Sequence, residues 1–360
     1  MTPLGRLLAA RIAADGPMDL ADYMAECLLH PAHGYYATRD PFGAAGDFVT
    51  APEISQMFGE MVGACLAAWW RSAGAPGPVR LIELGPGRGT LMADVLRVIA
   101  RVPGLDPEVH LVEASSALRA AQSRAVPGAH HHDRLEDVPP GATLLIANEF
   151  VDALPIRAHL RAGPHWRARV VGLEGGALRL GHGPAAPLPA LDHRLADTAD
   201  ADVVESRPAA DPVMRAVQDR LTAAPGMALL VDYGDWRSLG DTLQAVRGHA
   251  PEDPIARPGE ADLTAHVDFE ALAAAAPALP HTLLTPQGVF LERLGITDRA
   301  RALAARLEGA ALDAHVAAHR RLVHPGEMGR LFKVIAFVSP GLPAPPGLHF
   351  PREGRHPAGP

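Results

Sequence analysis

A chain of 360 residues, 48% of them apolar, is long enough to bury one large core with an insertion, or two domains. Its net charge of −8 offers no basic face, so no nucleic-acid partner is expected, and no apolar run reaches the roughly 18 residues of a membrane span. Two cysteines, Cys27 and Cys65, are too few for a disulfide framework or a zinc set, which fits a reducing compartment.

Residues 2–30 read as helices. Leu7, Leu8 and Ile12, then Leu20, Tyr23, Met24, Cys27 and Leu28, recur at helical spacing around a Gly16-Pro17 break. Arg6 and Arg11 resemble the start of a targeting peptide, but Asp15 and Asp19 follow at once, so a short amphipathic helix is the reading. His30 and His33 lack a third ligand at useful spacing, and no metal is expected. Gly43 to Glu53 is polar and glycine-rich, with Asp47 and Thr50 as local caps, and runs into a long apolar helix from Ile54 to Trp70.

Val79 to Thr90 is the stretch the chain is organised around. An apolar run (Leu81, Ile82, Leu84) enclosing Glu83 leads into Gly85, Gly87 and Gly89, with Pro86 and Arg88 between them, and then into a helical pattern. Strand, glycine turn and helix open a nucleotide-type α/β domain. Gly85 turns the chain, Gly87 lets a ligand lie on the backbone, and Gly89 starts the helix close to the strand. The spacing G-x-G-x-G is not that of dinucleotide binders. A carboxylate at Glu83 suits an ammonium or sulfonium and repels a pyrophosphate, which favours S-adenosylmethionine over NAD.

A second strand, 110–113, ends in Glu113, placed to accept ribose hydroxyls. His130-His131-His132-Asp133 reads as a solvated loop, with Asp133 near the adenine amino group. A third apolar strand, Leu144 to Ala147, opens onto Asn148-Glu149-Phe150-Val151-Asp152, polar groups at the rim where open parallel sheets bind ligands. From Pro155 the pattern changes to a hairpin around Trp166 to Leu180 and a flexible connection from Gly181 to Asp202. Val213 to Leu221 is an amphipathic helix. Met227 to Val231 is a strand that ends in Asp232-Tyr233-Gly234. Gly240 to Asp268 is long and irregular, a pattern that marks functional segments, and is assigned to the substrate side. Helices follow, Leu331 to Val338 is the closing strand, and the Pro- and Gly-rich remainder reads as disordered.

Four stretches carry a resemblance: Glu83 to Leu91, Gly46 to Glu53, Asn148-Glu149-Phe150 and Asp262 to Phe269. In this order they resemble the MidA-type protein-arginine methyltransferases, whose eukaryotic members are mitochondrial complex I assembly factors. The similarity runs from about 34 to 338. It departs from the family pattern at Ala168, where a glutamate is usual, and keeps it at Glu205.

The resemblance implies an α/β fold of class I methyltransferase type, Rossmann-like, with a seven-stranded mostly parallel sheet, an N-terminal helical region and an inserted small subdomain. The expected division is 1–75 for helices and a cofactor-covering segment, 76–157 and 207–340 for the two halves of the core, 158–206 for the insertion and 341–360 for the tail. S-adenosyl-L-methionine would contact Gly46, Asp47, Phe48, Pro52, Glu83, Gly85, Pro86, Gly87, Gly89, Thr90, Glu113, Asn148 and Glu149. Gly46, Asp47 and Phe48 would close over it and exclude water.

Methyl transfer needs a positioned acceptor lone pair. For an arginine, carboxylates have to hold the charged guanidinium, so Glu149 and Asp152 are the catalytic candidates, with His266 as proton acceptor. Asp232, Tyr233 and Asp268 belong to the substrate side. The resemblance further implies symmetric dimethylation of an arginine in a core subunit of complex I, supporting assembly of its peripheral arm. The expected setting is the bacterial cytoplasm, or the mitochondrial matrix for a eukaryotic homologue, without membrane insertion and with a homodimer as one state. A cofactor-binding chaperone without turnover, a small-molecule methyltransferase and a nicotinamide oxidoreductase stay open on the residues alone.

Overall fold

The computed structural model describes residues 1–38 and 50–352, and the expected cofactor-covering residues Gly46, Asp47 and Phe48 lie outside these. The chain divides into two units. One comprises Met1–Phe48, Asp152–Pro212 and Arg237–Ala271, and the other Val49–Val151, Val213–Trp236 and Leu272–Pro360. Among the described residues no helix is long and apolar enough to cross a membrane.

The second unit is the core. Its sheet contains β1 Val79–Leu84, β2 Glu108–Val112, β3 His130–His132, β4 Ala142–Asn148, β5 Gly226–Asp235, β6 Thr285–Pro286 and β7 Phe332–Val338. Seven of the eight strands of this sheet lie in the order β3-β2-β1-β4-β5-β7-β6. β1 to β5 are parallel, and β7 runs antiparallel between β5 and β6. The order reverses between β1 and β4, and a crevice opens at the carboxyl ends of the strands at such a reversal. β4 is buried along its whole length, as a strand covered on both faces must be.

Helices α1 Gln56–Ser72, α2 Thr90–Ile99 and α3 Ser116–Ala125 belong to the same unit. α1 and α2 approach through glycines. A Cβ on Gly59 would stand 2.5 Å from Cβ of Asp94, and one on Gly63 would stand 3.0 Å from the Val95 carbonyl oxygen.

Several details differ from the sequence reading. The triple histidine is the edge strand β3 rather than a solvated loop. It pairs with β2, and His132 Nε2 lies 3.0 Å from Nδ1 of the buried His110. β5 continues through Asp232 and Tyr233 because β7 supplies partners Lys333 and Phe332 after parallel pairing with β4 stops at Val231. Residues 341–352 of the expected tail pack instead of dissolving, and the rest of it lies outside the described residues: the Trp69 indole N–H donates to the Pro343 carbonyl at 2.8 Å, and Leu348 is 2% exposed. A buried indole needs an acceptor, and this segment supplies it.

In the first unit, helices Pro3–Asp15 and Leu20–Leu29 accompany an antiparallel sheet. Its strands run Met18–Asp19, His165–Glu174, Arg157–Ala162 and Val203–Ser206, with Ala177–Ala186 also paired to His165–Glu174. Tyr23, Met24, Val171, Leu178 and Leu263 share its apolar cluster. The connection expected to be flexible contains a 3-10 helix, Pro189–Ala196, tied down by the buried Arg194, which donates to Asp197 at 3.1 Å and to the Ser238 carbonyl at 2.9 Å. The 240–268 segment is not irregular throughout, since Ala250–Glu252, Gln244–Arg247 and Asp262–Thr264 form a small sheet.

Gly59→Ala forces α1 and α2 apart. It is expected to cost about 1–3 kcal/mol and to lower the melting temperature followed by circular dichroism. An unchanged melting temperature would contradict the close approach.

Candidate active site

The site begins where β1 ends. Gly85, Gly87 and Gly89 have φ of 60°, 53° and 85°, conformations that cost a side chain energy. Gly89 caps α2, and its N–H donates to the Pro86 carbonyl at 2.7 Å. A Cβ on Gly85 would stand 2.8 Å from Cδ2 of Phe150. Thr90 opens α2, and its hydroxyl donates to Glu53 Oε1 at 2.6 Å, while Pro52 is buried in the first turn of Ala51–Ile54.

Two acids mark the neighbouring strand ends. Glu83 is 3% exposed, and its Oε2 has no hydrogen-bond partner among the described residues. Burial first, then the like charge of Glu113, push its carboxyl up to about 8, against one stabilising N–H from Met92. Glu113 accepts from the Ser115 N–H at 2.8 Å and from Gln122 Nε2 at 3.1 Å, and burial raises its carboxyl too. Gln122 is fully buried, and the same Nε2 donates to the Gly87 carbonyl at 2.8 Å. One amide therefore ties the glycine turn to the acid after β2. The sequence reading missed Gln122, although a glutamine four residues after Leu118, on the same helix face, was its visible signal. Asp133, expected near the adenine, lies 2.5 Å from Arg119 Nη2, whose Nε donates to the Glu113 carbonyl at 2.8 Å.

At the end of β4, Glu149 has φ of 51°. A left-handed conformation costs a non-glycine residue on the order of 1–3 kcal/mol and concentrates at functional sites. Its Oε1 accepts from the Ala51 N–H at 3.0 Å and from Asn148 Nδ2 at 3.1 Å. Asp232 is 1% exposed and accepts from the N–H groups of Val151 and Tyr233, each at 3.0 Å, so it shapes the loop after β4. Tyr233 packs edge-on to Phe332, ring centroids 5.4 Å apart.

Glu83, Gly85, Pro86, Gly87, Gly89, Glu113, Asn148 and Glu149 thus gather at one end of the core sheet. Asp152, His266 and Asp268 belong to the other unit. There Arg207 donates to the carbonyls of Asp152, Leu154, Ala265 and His266 at 2.8–3.3 Å and fixes both backbone stretches. The His266 N–H donates to the Thr242 hydroxyl at 2.8 Å, and Glu205 holds Thr242 in turn. Tyr36 donates to Asp262 at 2.8 Å, and burial, with the charges of Asp262 and Asp152, keeps its phenol protonated. Asp268 accepts from the Ser238 and Ala271 N–H groups at 3.0 and 2.9 Å and acts as a helix cap.

The core site presents three buried acceptors without a partner among the described residues: Glu83 Oε2, Gln122 Oε1 and Asn148 Oδ1. Buried polar atoms are normally satisfied, so the set matches a ligand that brings donors and positive charge. S-adenosyl-L-methionine brings an ammonium, a sulfonium, ribose hydroxyls and an adenine amine, whereas a pyrophosphate would bring only acceptors. Sheet order and site together define a class I S-adenosyl-L-methionine-dependent methyltransferase.

Comparison with known proteins agrees. Residues 61–286 match the family described as "Putative S-adenosyl-L-methionine-dependent methyltransferase". The chain is 34% identical to the mitochondrial protein arginine methyltransferase NDUFAF7 homolog of Drosophila melanogaster, over 94% of this chain and 85% of that protein. It is 33% identical to the Homo sapiens protein arginine methyltransferase NDUFAF7, covering 94% and 84%. A Burkholderia thailandensis protein solved with S-adenosyl-homocysteine bound superposes with a TM-score of 0.82 at 30% identity, covering 96% of this chain and 93% of that one. The chain belongs to this methyltransferase family, of the MidA type, and takes S-adenosyl-L-methionine as cofactor.

Gln122→Ala leaves the Gly87 carbonyl and one Glu113 oxygen buried without their donor. At about 1–3 kcal/mol for such a loss, calorimetry should show S-adenosyl-L-methionine binding roughly 10-fold weaker or more. An unchanged Kd would remove Gln122 from the site.

Proposed function

We propose that the chain transfers the methyl group of S-adenosyl-L-methionine to a guanidinium nitrogen of a protein arginine, and that this arginine lies in a core subunit of the peripheral arm of respiratory complex I. The observation that carries the reading is Glu149, a carboxylate held in a left-handed turn at the end of β4, in a chain whose relatives are named protein arginine methyltransferases. A guanidinium starts charged, with a pKa above about 12, so its nitrogen is a poor nucleophile until a carboxylate orients it and offsets the charge. Ala51 and Asn148 fix Glu149 before any acceptor arrives, so it needs little reorganisation when charge shifts.

In the reaction the methyl–sulfur bond breaks with its electron pair staying on sulfur. A nitrogen lone pair forms the new bond, and the proton leaves that nitrogen. His266 is the proposed proton acceptor and Asp152 a further candidate carboxylate, each judged by its own substitution. Repetition on the opposite terminal nitrogen gives the symmetric dimethyl product. The corresponding setting is the bacterial cytoplasm, where a peripheral arm is assembled.

The test is transfer of labelled methyl from S-adenosyl-L-methionine into extract of cells lacking this protein, followed by mass spectrometry of the labelled band. Label on arginine is expected, and Glu149→Gln should lower the rate by roughly 100-fold while S-adenosyl-L-methionine still binds. Cofactor binding without label on any protein would overturn the arginine reading and point to a small acceptor or a binding-only role.

A further inference from the structure

The Glu83–Glu113 pair is an unusual lining for a cofactor site. The two acids sit at the carboxyl ends of adjacent strands, at 3% and 9% exposure, and Glu83 keeps one oxygen without a partner among the described residues. The groups acting on Glu83 are Glu113 and the Met92 N–H. Those acting on Glu113 are the N–H groups of Ala114 and Ser115, the Gln122 amide and Arg119. Arg119 is already committed to the Glu113 carbonyl and to Asp133. Among the described residues Glu83 therefore has no cation of its own.

We propose that binding of S-adenosyl-L-methionine expels the proton that this pair keeps in the free protein, and that the pair thereby favours the positively charged sulfonium cofactor over its neutral thioether product. The inference rests on the cofactor assignment and deepens it. The cofactor carries a sulfonium and an ammonium against one carboxylate, a net positive charge that takes the place of the proton. Methyl transfer removes the sulfonium charge. The ionised pair is then left without compensation, takes a proton back and holds the product less firmly.

The sign follows from the raised carboxyl. Below about 8 the free protein holds a proton on Glu83, so cofactor binding has to displace it and affinity rises with pH up to that point. The product, which does not need the ionised form, gains less.

Calorimetry of S-adenosyl-L-methionine and S-adenosyl-homocysteine at about pH 7, in buffers of different ionisation enthalpy, counts the protons released. The full chain is expected to release more for the sulfonium than for the thioether, with sulfonium affinity rising several-fold between about pH 6.5 and 8.5. Both ligands carry an amine that titrates nearby, and Glu83→Gln subtracts its contribution. In that variant the excess proton release should vanish and the preference for the sulfonium should fall by roughly 10-fold, the equivalent of one pKa unit. Equal proton counts for the two ligands in the unaltered chain would overturn the proposal, and that comparison decides even if Glu83→Gln fails to fold. An unaltered excess in Glu83→Gln would also overturn it. Absence of any binding heat for either ligand would instead overturn the cofactor assignment beneath it.

Discussion

The pairing of β1 with β4 is the constraint on which the core site depends. The two strands run parallel in a register that sets Leu84 beside Ala147, and β4 pairs on its other side with β5 up to Val231 beside Asn148. Gly85 and Asn148 therefore stand at the same level, on either side of the point where strand order reverses. A slip of one residue would turn Glu83 and Asn148 to the opposite face, because side chains alternate along a strand. Val79 and Leu81 of β1 and Leu144 and Ile146 of β4 hold that register through burial in the same cluster as Met57, Phe58 and Trp69.

Upon that frame the polar groups are placed by hydrogen bonds that leave selected oxygens open. Gln122 joins the glycine turn to Glu113, Ala51 and Asn148 orient Glu149, and Asp232 holds the Val151 and Tyr233 N–H groups. Glu83 is the exception, buried with a single backbone donor among the described residues and a like charge nearby. Burial of an acid in this way costs stability in the free protein, and its conversion to an ion is favourable only when a cation enters.

Much of the frame was legible in the sequence because each signal was local. The Gly85-Gly87-Gly89 turn, the apolar strands and the acids at Glu83, Glu113 and Glu149 could be read from spacing alone, and the family resemblance supplied the strand order. The missed features depend on partners distant in sequence. Three histidines carry no apolar alternation, and only pairing with β2 makes them a strand. Trp69 finds its acceptor at Pro343, and Arg207 gathers carbonyls from 152–154 and 265–266, contacts that no local pattern announces. Asp232 and Tyr233 read as a rim because the partner that extends their strand, β7, lies a hundred positions later.

The central claim is that this chain methylates a protein arginine with Glu149 receiving the acceptor. Its most direct measurement is mass spectrometry of the complex I peripheral arm purified from cells lacking the protein, complemented with the unaltered chain or with Glu149→Gln. The account predicts a methylated arginine only with the unaltered chain. The same methylation state in all three preparations would contradict it.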